Sequence, residues 1–322
     1  MTRVTYATAQ KMRAAISHKY GHDHGRGTQP WLEDSLRPGH FRGNPSLSVT
    51  VSQYMISLGR RKVRAGEVVT SARAIDEQTM KELYEHNINF VDDDLGPTSK
   101  KRKAEAPQNW AGSTTRLMLQ LMFNTAMLVL LRFEEVLRIT WKDVQFEQCQ
   151  PRRVRLMLPF RKTHQYGGIV PFYLYENREK PWMCPVCLWA AWWCRCRELN
   201  IDVNGCVFWK KKWAEMESVP TADSFLECFR NNLLDIGIDP RPYGTHSFRR
   251  GGCQYLAMVL RWPLRQICTW GGWAENFDNP GTIFKYLLSW NDAPLLQRED
   301  YFNPNRAGSD PCTNCGRTCS CA

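Results

Sequence analysis

The chain is 322 residues long, with 43% hydrophobic and 12% aromatic residues, enough apolar material for one large core or two ordinary ones and too much for a disordered or fibrous chain. Against 32 Asp and Glu stand 43 Lys and Arg, a formal net charge of +11, which favours a polyanionic partner and leaves nucleic acid and anionic membrane both open. No window holds the roughly 18 apolar residues of a membrane-spanning helix. The most apolar stretch, 117–131, is broken by Gln120, Asn124 and Thr125 and reads as a buried helix. The N-terminal residues lack the apolar core of a secretory signal, so the 13 cysteines read as mostly reduced thiols of a cytosolic or nuclear protein.

Residues 1–90 are expected to form a first, helical domain. Ala7, Met12, Ala15 and Ile16 fall near helical spacing before the glycine-rich run from Gly21 to Gly27 interrupts. A second helical segment carries Val49, Tyr54, Ile56 and Leu58 and ends in Arg60, Arg61 and Lys62, with Arg64 just beyond. His18, His22 and His24 invite a metal reading, but a polar glycine-rich loop is the simpler account. Residues 91–107 lose almost all large apolar side chains and carry Asp92-Asp93-Asp94, Gly96-Pro97 and the basic run Lys100-Lys101-Arg102-Lys103. They read as an interdomain linker whose basic run is a solvated segment, a nuclear address or a strap along a phosphate backbone.

Residues 108–305 form the second domain, mixed but mostly helical. Val154, Leu156, Leu158 and Phe160 alternate with other residues, and β-formers fill 169–175 beyond Gly167-Gly168, so a β-hairpin with a polar tip is predicted. Helical patterns follow at about 187–199, 222–235, 246–260 and 281–290. The expected fold class is therefore mainly α, an all-helical domain followed by a mostly helical one with a small hairpin. In Cys184-Pro185-Val186-Cys187, a cysteine and proline at a helix start explain the spacing better than a metal does. The tail 306–322 is core-poor, and Cys312, Cys315, Cys319 and Cys321 either bind a structural zinc or are unligated thiols.

The informative stretch is Gly244-Thr245-His246-Ser247-Phe248-Arg249-Arg250-Gly251-Gly252, followed by Trp270-Gly271-Gly272-Trp273 and by Tyr286 within 281–290. His246 and Arg249 are three apart, hence on one helix face, with Thr245 placed to cap the start. Upstream, Arg132 ends the apolar helix where burial should peak, so it needs an anionic partner, either Glu135 or a ligand.

This ordered set resembles the tyrosine recombinase, or phage integrase, family across 132–286. Arg132 with Glu135 and Trp141 is similar to the family's first-arginine motif, His246-Ser247-Phe248-Arg249 to its His-x-x-Arg motif, and Tyr286 falls at the nucleophile. Lys162, within Arg161-Lys162-Thr163, matches the hairpin lysine. Gly271-Gly272-Trp273 looks most like the eukaryotic branch of Crypton-type mobile elements, although Trp273 stands where many members have histidine. The thirteen residues from Trp273 to Tyr286 include an apparent insertion at 276–280.

The resemblance implies site-specific cleavage and rejoining of double-stranded DNA through a covalent 3′-phosphotyrosine, in the recombination or integration of a mobile element, with no cofactor required. Arg132 and Arg249 would bind the nonbridging oxygens, His246 would act as base and Lys162 as general acid. Trp273 would pack behind the tyrosine. It further implies a DNA-clamping first domain, with Arg60, Arg61, Lys62, Arg64 and Lys100, Lys101, Arg102, Lys103 as phosphate contacts, self-assembly on paired sites, no membrane, and a nuclear location. A catalytically silent DNA-binding descendant and a type IB topoisomerase-like enzyme are the alternatives.

Overall fold

The structure, a computed structural model, describes residues 5–65, 72–91, 110–161, 169–201, 203–209, 220–273, 281–289 and 292. The chain divides into two compact units, Met1–Thr70 and Ser71–Ala322.

In the first unit, α1 (Tyr6–His22) and α2 (Val49–Arg64) are connected through a two-residue antiparallel ladder of β1 (Leu32–Glu33) and β2 (Phe41–Arg42) and a 3-10 turn at Pro45–Leu47. The Thr5 hydroxyl caps α1 by accepting the Thr8 N–H at 3.3 Å. The centre of this unit is polar. Asn44 is fully buried, donates to the Ser17 hydroxyl and the Gly27 carbonyl, and accepts from the Ser46 N–H and hydroxyl. Arg13 crosses from α1 to donate to the Ser46 carbonyl and the Ser52 hydroxyl. A buried amide with its hydrogen bonds met specifies one geometry where apolar burial is scarce.

The second unit is built around α4 (Ser113–Leu128), whose residues 118–127 are all buried. Packed on it are α3 (Glu77–Ile88), α6 (Pro185–Glu198) and α8 (Ser247–Gln254). The polar residues that interrupt the apolar run of α4 are ties to its neighbours. The Gln120 side-chain carbonyl accepts from Asn87 of α3 at 3.2 Å, and Asn87 exchanges amide hydrogen bonds with Asn232 of α7 (Ala222–Asp235), each at 2.9 Å. Arg116, fully buried, donates to Asp235 at 2.7 Å.

One domain boundary therefore moves. The sequence reading places 77–88 in the first domain, but α3 buries Met80, Leu83 and Asn87 against the second unit, because an amphipathic helix joins whichever core takes its apolar face. The expected linker begins beyond α3, and its residues 92–107 lie outside the described residues, as does the tail 306–322.

The predicted hairpin is present and has a third strand. The sheet β3 (Val144–Glu147), β4 (Arg153–Leu156) and β5 (Phe172–Tyr175) is antiparallel throughout, with Val154 opposite Leu174 and Leu156 opposite Phe172. These four side chains are buried and β4 and β5 pack toward α6. Alternation predicts Phe160 on the buried face. Instead Phe160 is exposed under the Arg138 guanidinium, 4.8 Å from its ring centre, and Arg161 is buried. Regular strand ends at Leu156, and Pro159, which cannot continue a ladder, resets the phase.

The helix predicted over 246–260 is α-helical only to Gln254 and continues as a π turn over Tyr255–Val259, closed by the Leu260 N–H on the Tyr255 carbonyl. It is followed by α9 (Leu264–Trp270) and α10 (Gly281–Leu287). The fold is mainly α with small antiparallel sheets. No helix among the described residues is long and apolar enough to cross a membrane.

The two glycines of α8 carry its packing. A Cβ on Gly251 would lie 2.1 Å from the Ile75 carbonyl oxygen, and one on Gly252 would lie 2.0 Å from the Met127 carbonyl oxygen and 2.6 Å from the Leu130 side chain. Backbone thus rests directly on backbone at both positions. Since neither carbonyl can move without disturbing α3's approach or the end of α4, Gly252→Ala should destabilise the unit by about 3 kcal/mol, a fall of roughly 6–12 °C in Tm by calorimetry.

Candidate active site

Two structural accidents of sequence bring the first pair of charges together. Helix α4 stops at Leu128, and Leu130 adopts a left-handed φ of 54°, a conformation that costs a non-glycine residue about 1 kcal/mol. The chain turns there into α5 (Phe133–Leu137), with Arg132 just before its first residue. Glu135 accepts the Arg132 backbone N–H at 2.8 Å and its guanidinium at 3.4 Å. The expectation that Arg132 is buried on the long helix is corrected: its side chain is 26% exposed, and the buried group is Glu135, at 3%.

Arg249 arrives from the opposite side on α8. Phe248, stacked on Phe123 at 4.7 Å, anchors that helix in an aromatic cluster with Phe225 and Phe229. His246 occupies the N-cap position with no side-chain cap, and Thr245 does not cap the helix as expected; the Ser247 hydroxyl instead accepts the Gly244 N–H at 3.0 Å.

Arg249 is 1% exposed, and its nearest carboxylate is Glu135 at 3.8 Å, too far for a hydrogen bond. Its Nε and one terminal nitrogen are buried without hydrogen-bond partners. Burial pushes its pKa down, and the neighbouring Arg132 adds to the effect. A desolvated guanidinium with unmet donors is a group awaiting an anion.

Arg161 joins the same field. It is 2% exposed with Nε unpartnered. Burial lowers its pKa to about 10; attraction by Glu135 opposes this, and repulsion from Arg249 and Arg132 adds to it. Three guanidinium groups therefore share one carboxylate here among the described residues. Arg161 was legible only as the neighbour of Lys162; the signal for it is Pro159, which breaks the alternation two residues earlier. Lys162 itself lies outside the described residues, as do Lys100, Lys101, Arg102, Lys103 and Cys312, Cys315, Cys319, Cys321.

The aromatic side of the site is set by the end of α9. The Gly272 N–H bonds to the Thr269 carbonyl and the Trp273 N–H to the Cys268 carbonyl, with Gly272 at φ 59°, a left-handed helix C-cap that favours glycine. An added Cβ on Gly271 would meet the Trp273 ring at 3.0 Å. Trp273 is thereby laid against Tyr286 of α10, their rings stacked at 5.0 Å and 15°. The Arg249 guanidinium lies 5.0 Å from the Trp273 ring centre and 4.8 Å from that of Tyr286. The Trp273 indole N–H is also buried and unpartnered.

His246 keeps an exposed outer edge, but protein packed around the ring desolvates it, and Arg249 and Arg132 repel a proton, so its pKa falls below the ordinary 6.5 despite the opposing pull of Glu134. The imidazole is accordingly neutral at pH 7 and able to accept a proton. The structure thus gathers Arg132, His246, Arg249, Trp273 and Tyr286, adds Glu135 and Arg161, and offers a phenol beside a cationic pocket. The arginines expected to touch a polyanion in the first unit lie at the C-terminal end of α2: Arg60, Arg61 and Arg64 are exposed and Lys62 is half-buried.

Because burial and, after it, the two arginines depress the His246 pKa, an NMR titration of its ring should have a midpoint below 6.5, and Arg132→Gln should raise it. A midpoint unmoved by that substitution would detach His246 from the cluster.

No protein-family model matches the chain, and no curated protein matches it. Among solved structures, the XerH site-specific recombinase bound to difH substrate, in a pre-cleavage complex, aligns with 13% identity and a TM-score of 0.44 over 69% of this chain and 51% of that one. The XerH post-cleavage complex with a palindromic difH substrate aligns with 14% identity and a TM-score of 0.43 over 67% and 49%. A Flpe mutant in a DNA Holliday junction complex aligns with 10% identity and a TM-score of 0.37 over 88% and 73%. The chain spans about half the length of the XerH chains it matches.

Proposed function

We propose that this protein cleaves and rejoins DNA strands, with Tyr286 as nucleophile. The observation that carries the reading is the buried Arg249, donors unmet, lying over both Trp273 and Tyr286 while sharing one carboxylate with Arg132 and Arg161. In the proposed step the Tyr286 phenolic oxygen bonds to a backbone phosphorus as the bond from phosphorus to the 5′-oxygen breaks. The phenol proton passes to His246, and the departing 5′-oxygen takes a proton from a general acid, the role assigned to Lys162. Extra negative charge on the nonbridging oxygens meets the partly exposed Arg132 and the buried Arg161 and Arg249, and the desolvation of the latter two makes their stabilisation strong. One phosphodiester replaces another, so a second 5′-hydroxyl can reverse the step without an external energy source.

The finer reading is recombination or integration of a mobile element, on the Gly271-Gly272-Trp273 signature. It carries with it paired sites, a nuclear setting and α2 as a phosphate-contacting surface through Arg60, Arg61, Lys62 and Arg64.

The experiment is an adduct trap. Purified protein is incubated with a pool of random nicked duplexes whose cleaved fragment diffuses away, denatured, and the attached DNA sequenced. The wild-type chain should yield adducts that Tyr286→Phe abolishes while DNA binding persists. Arg249→Ala should slow adduct formation on the order of 10³-fold. Adducts of equal yield from Tyr286→Phe would remove Tyr286 as nucleophile; salt-sensitive binding with no adduct would indicate a silent DNA-binding protein; adducts without sequence preference, together with relaxation of supercoiled plasmid, would indicate a topoisomerase.

A further inference from the structure

Beside the cationic cluster, α8 carries a second set of polar contacts that the proposed chemistry does not use. Arg250, next to Arg249, is 2% exposed and its donors are occupied. Its two terminal nitrogens each donate to one oxygen of Asp292 at 2.7 Å, in the parallel fork that suits guanidinium and carboxylate. One of them also reaches the Ala72 carbonyl at 2.6 Å, and Nε donates to the Lys285 carbonyl at 3.2 Å. Gln254, one turn further along α8, donates to the Leu287 carbonyl at 3.0 Å and to Asp292 at 2.9 Å. The Asp292 carboxylate accepts a fourth contact from the Ala74 N–H at 3.1 Å.

The positions of these bonds matter more than their number. Lys285 and Leu287 flank Tyr286, and their carbonyls belong to the last turn of α10, where backbone acceptors have no partner within the helix. Both are satisfied from α8, by Arg250 and Gln254. Asp292, six residues beyond Tyr286, fastens the chain on the far side to the same two side chains and to the segment 72–75. That segment is itself held by the Arg73 N–H on the Pro242 carbonyl and the Ile75 N–H on the Ser247 carbonyl. Tyr286 is thus gripped before, after and beyond its own position by the helix that also presents Arg249.

We propose that Asp292, Arg250 and Gln254 form a clamp that positions the Tyr286 nucleophile against Arg249, so that Asp292 and Arg250 are positioning residues for strand cleavage. The inference rests on the reading of Tyr286 as nucleophile. None of the three side chains reaches the reacting atoms; they act by fixing α10 in register with α8. The Asp292 carboxyl is suited to a permanent tie. Burial works against its charge, but the bonds from Arg250, Ala74 and Gln254 outweigh burial and keep it below the usual carboxylate range, so the tie is charged at neutral pH and is lost only on acidification through that lowered pKa.

The test uses the full chain with Asp292→Ala and the near-isosteric Asp292→Asn. Hydrogen exchange should show the amides of 281–289 losing protection in Asp292→Ala while those of 113–128 and 247–254 keep it. At saturating nicked duplex the single-turnover adduct rate should fall on the order of 10²-fold in Asp292→Ala and less in Asp292→Asn, with DNA affinity within about twofold of wild type. A rate within about twofold of wild type in both variants would overturn the clamp, as would unchanged protection of 281–289. So would equal loss of protection across α4 and α8 in both variants, which marks a general structural role. Failure of the nucleophile reading is seen separately, as adducts that survive Tyr286→Phe or as no adduct from the wild-type chain, and in that case exchange alone decides whether the tie exists.

Discussion

A buried guanidinium with two nitrogens left without hydrogen-bond partners is the constraint around which the second unit is arranged. Isolated, such a group is costly to bury, and a chain that left Arg249 in this state by default would relax by moving it into water. It cannot move. Phe248 is locked in the aromatic cluster one residue before it, Arg250 is forked onto Asp292 one residue after it, and Gly251 and Gly252 seat their helix on two carbonyls. Rigid surroundings let the residue stay unsatisfied, which is the condition under which an arriving anion gains most from meeting it.

Glu135 moderates this field without neutralising it. Its carboxylate is spent first on the Arg132 backbone N–H at 2.8 Å, then on guanidiniums at 3.4 and 3.8 Å. One acidic group, at a long hydrogen bond from Arg132 and beyond hydrogen-bond reach of Arg249, holds both cations in one field without pairing fully with Arg249. A closer pair would leave less of their attraction for an incoming anion, and a missing carboxylate would leave the like charges of Arg132, Arg161 and Arg249 unopposed.

Much of this was legible in the residues themselves. The helix over 222–235, the buried helix interrupted by Gln120, Asn124 and Thr125, and a hairpin between the 154–160 and 169–175 stretches follow from periodicity, and the ordered motif singles out Arg132, His246, Arg249, Trp273 and Tyr286 as one set. What escaped has physical reasons. Periodicity says that a helix has an apolar face, not which core receives it, so α3 was placed with the wrong unit. Alternation carried through Pro159 hides Arg161. Arg132 reads as buried because apolar density upstream is high, whereas Leu130 in a left-handed turn carries it past the helix. Asp292 belongs to no motif; its meaning lies in a contact 42 residues away in sequence.

The Gly271-Gly272-Trp273 turn has a consequence for how such a site can change. Because backbone handedness at Gly272 and the absence of a side chain at Gly271 aim the next residue, the direction of the side chain at 273 is set before its identity is chosen. The indole of Trp273 therefore owes its place against the Tyr286 ring to the backbone before it rather than to its own packing. A side chain at Gly271 would press on the Trp273 ring at 3.0 Å, and one at Gly272 would carry the cost of a left-handed backbone.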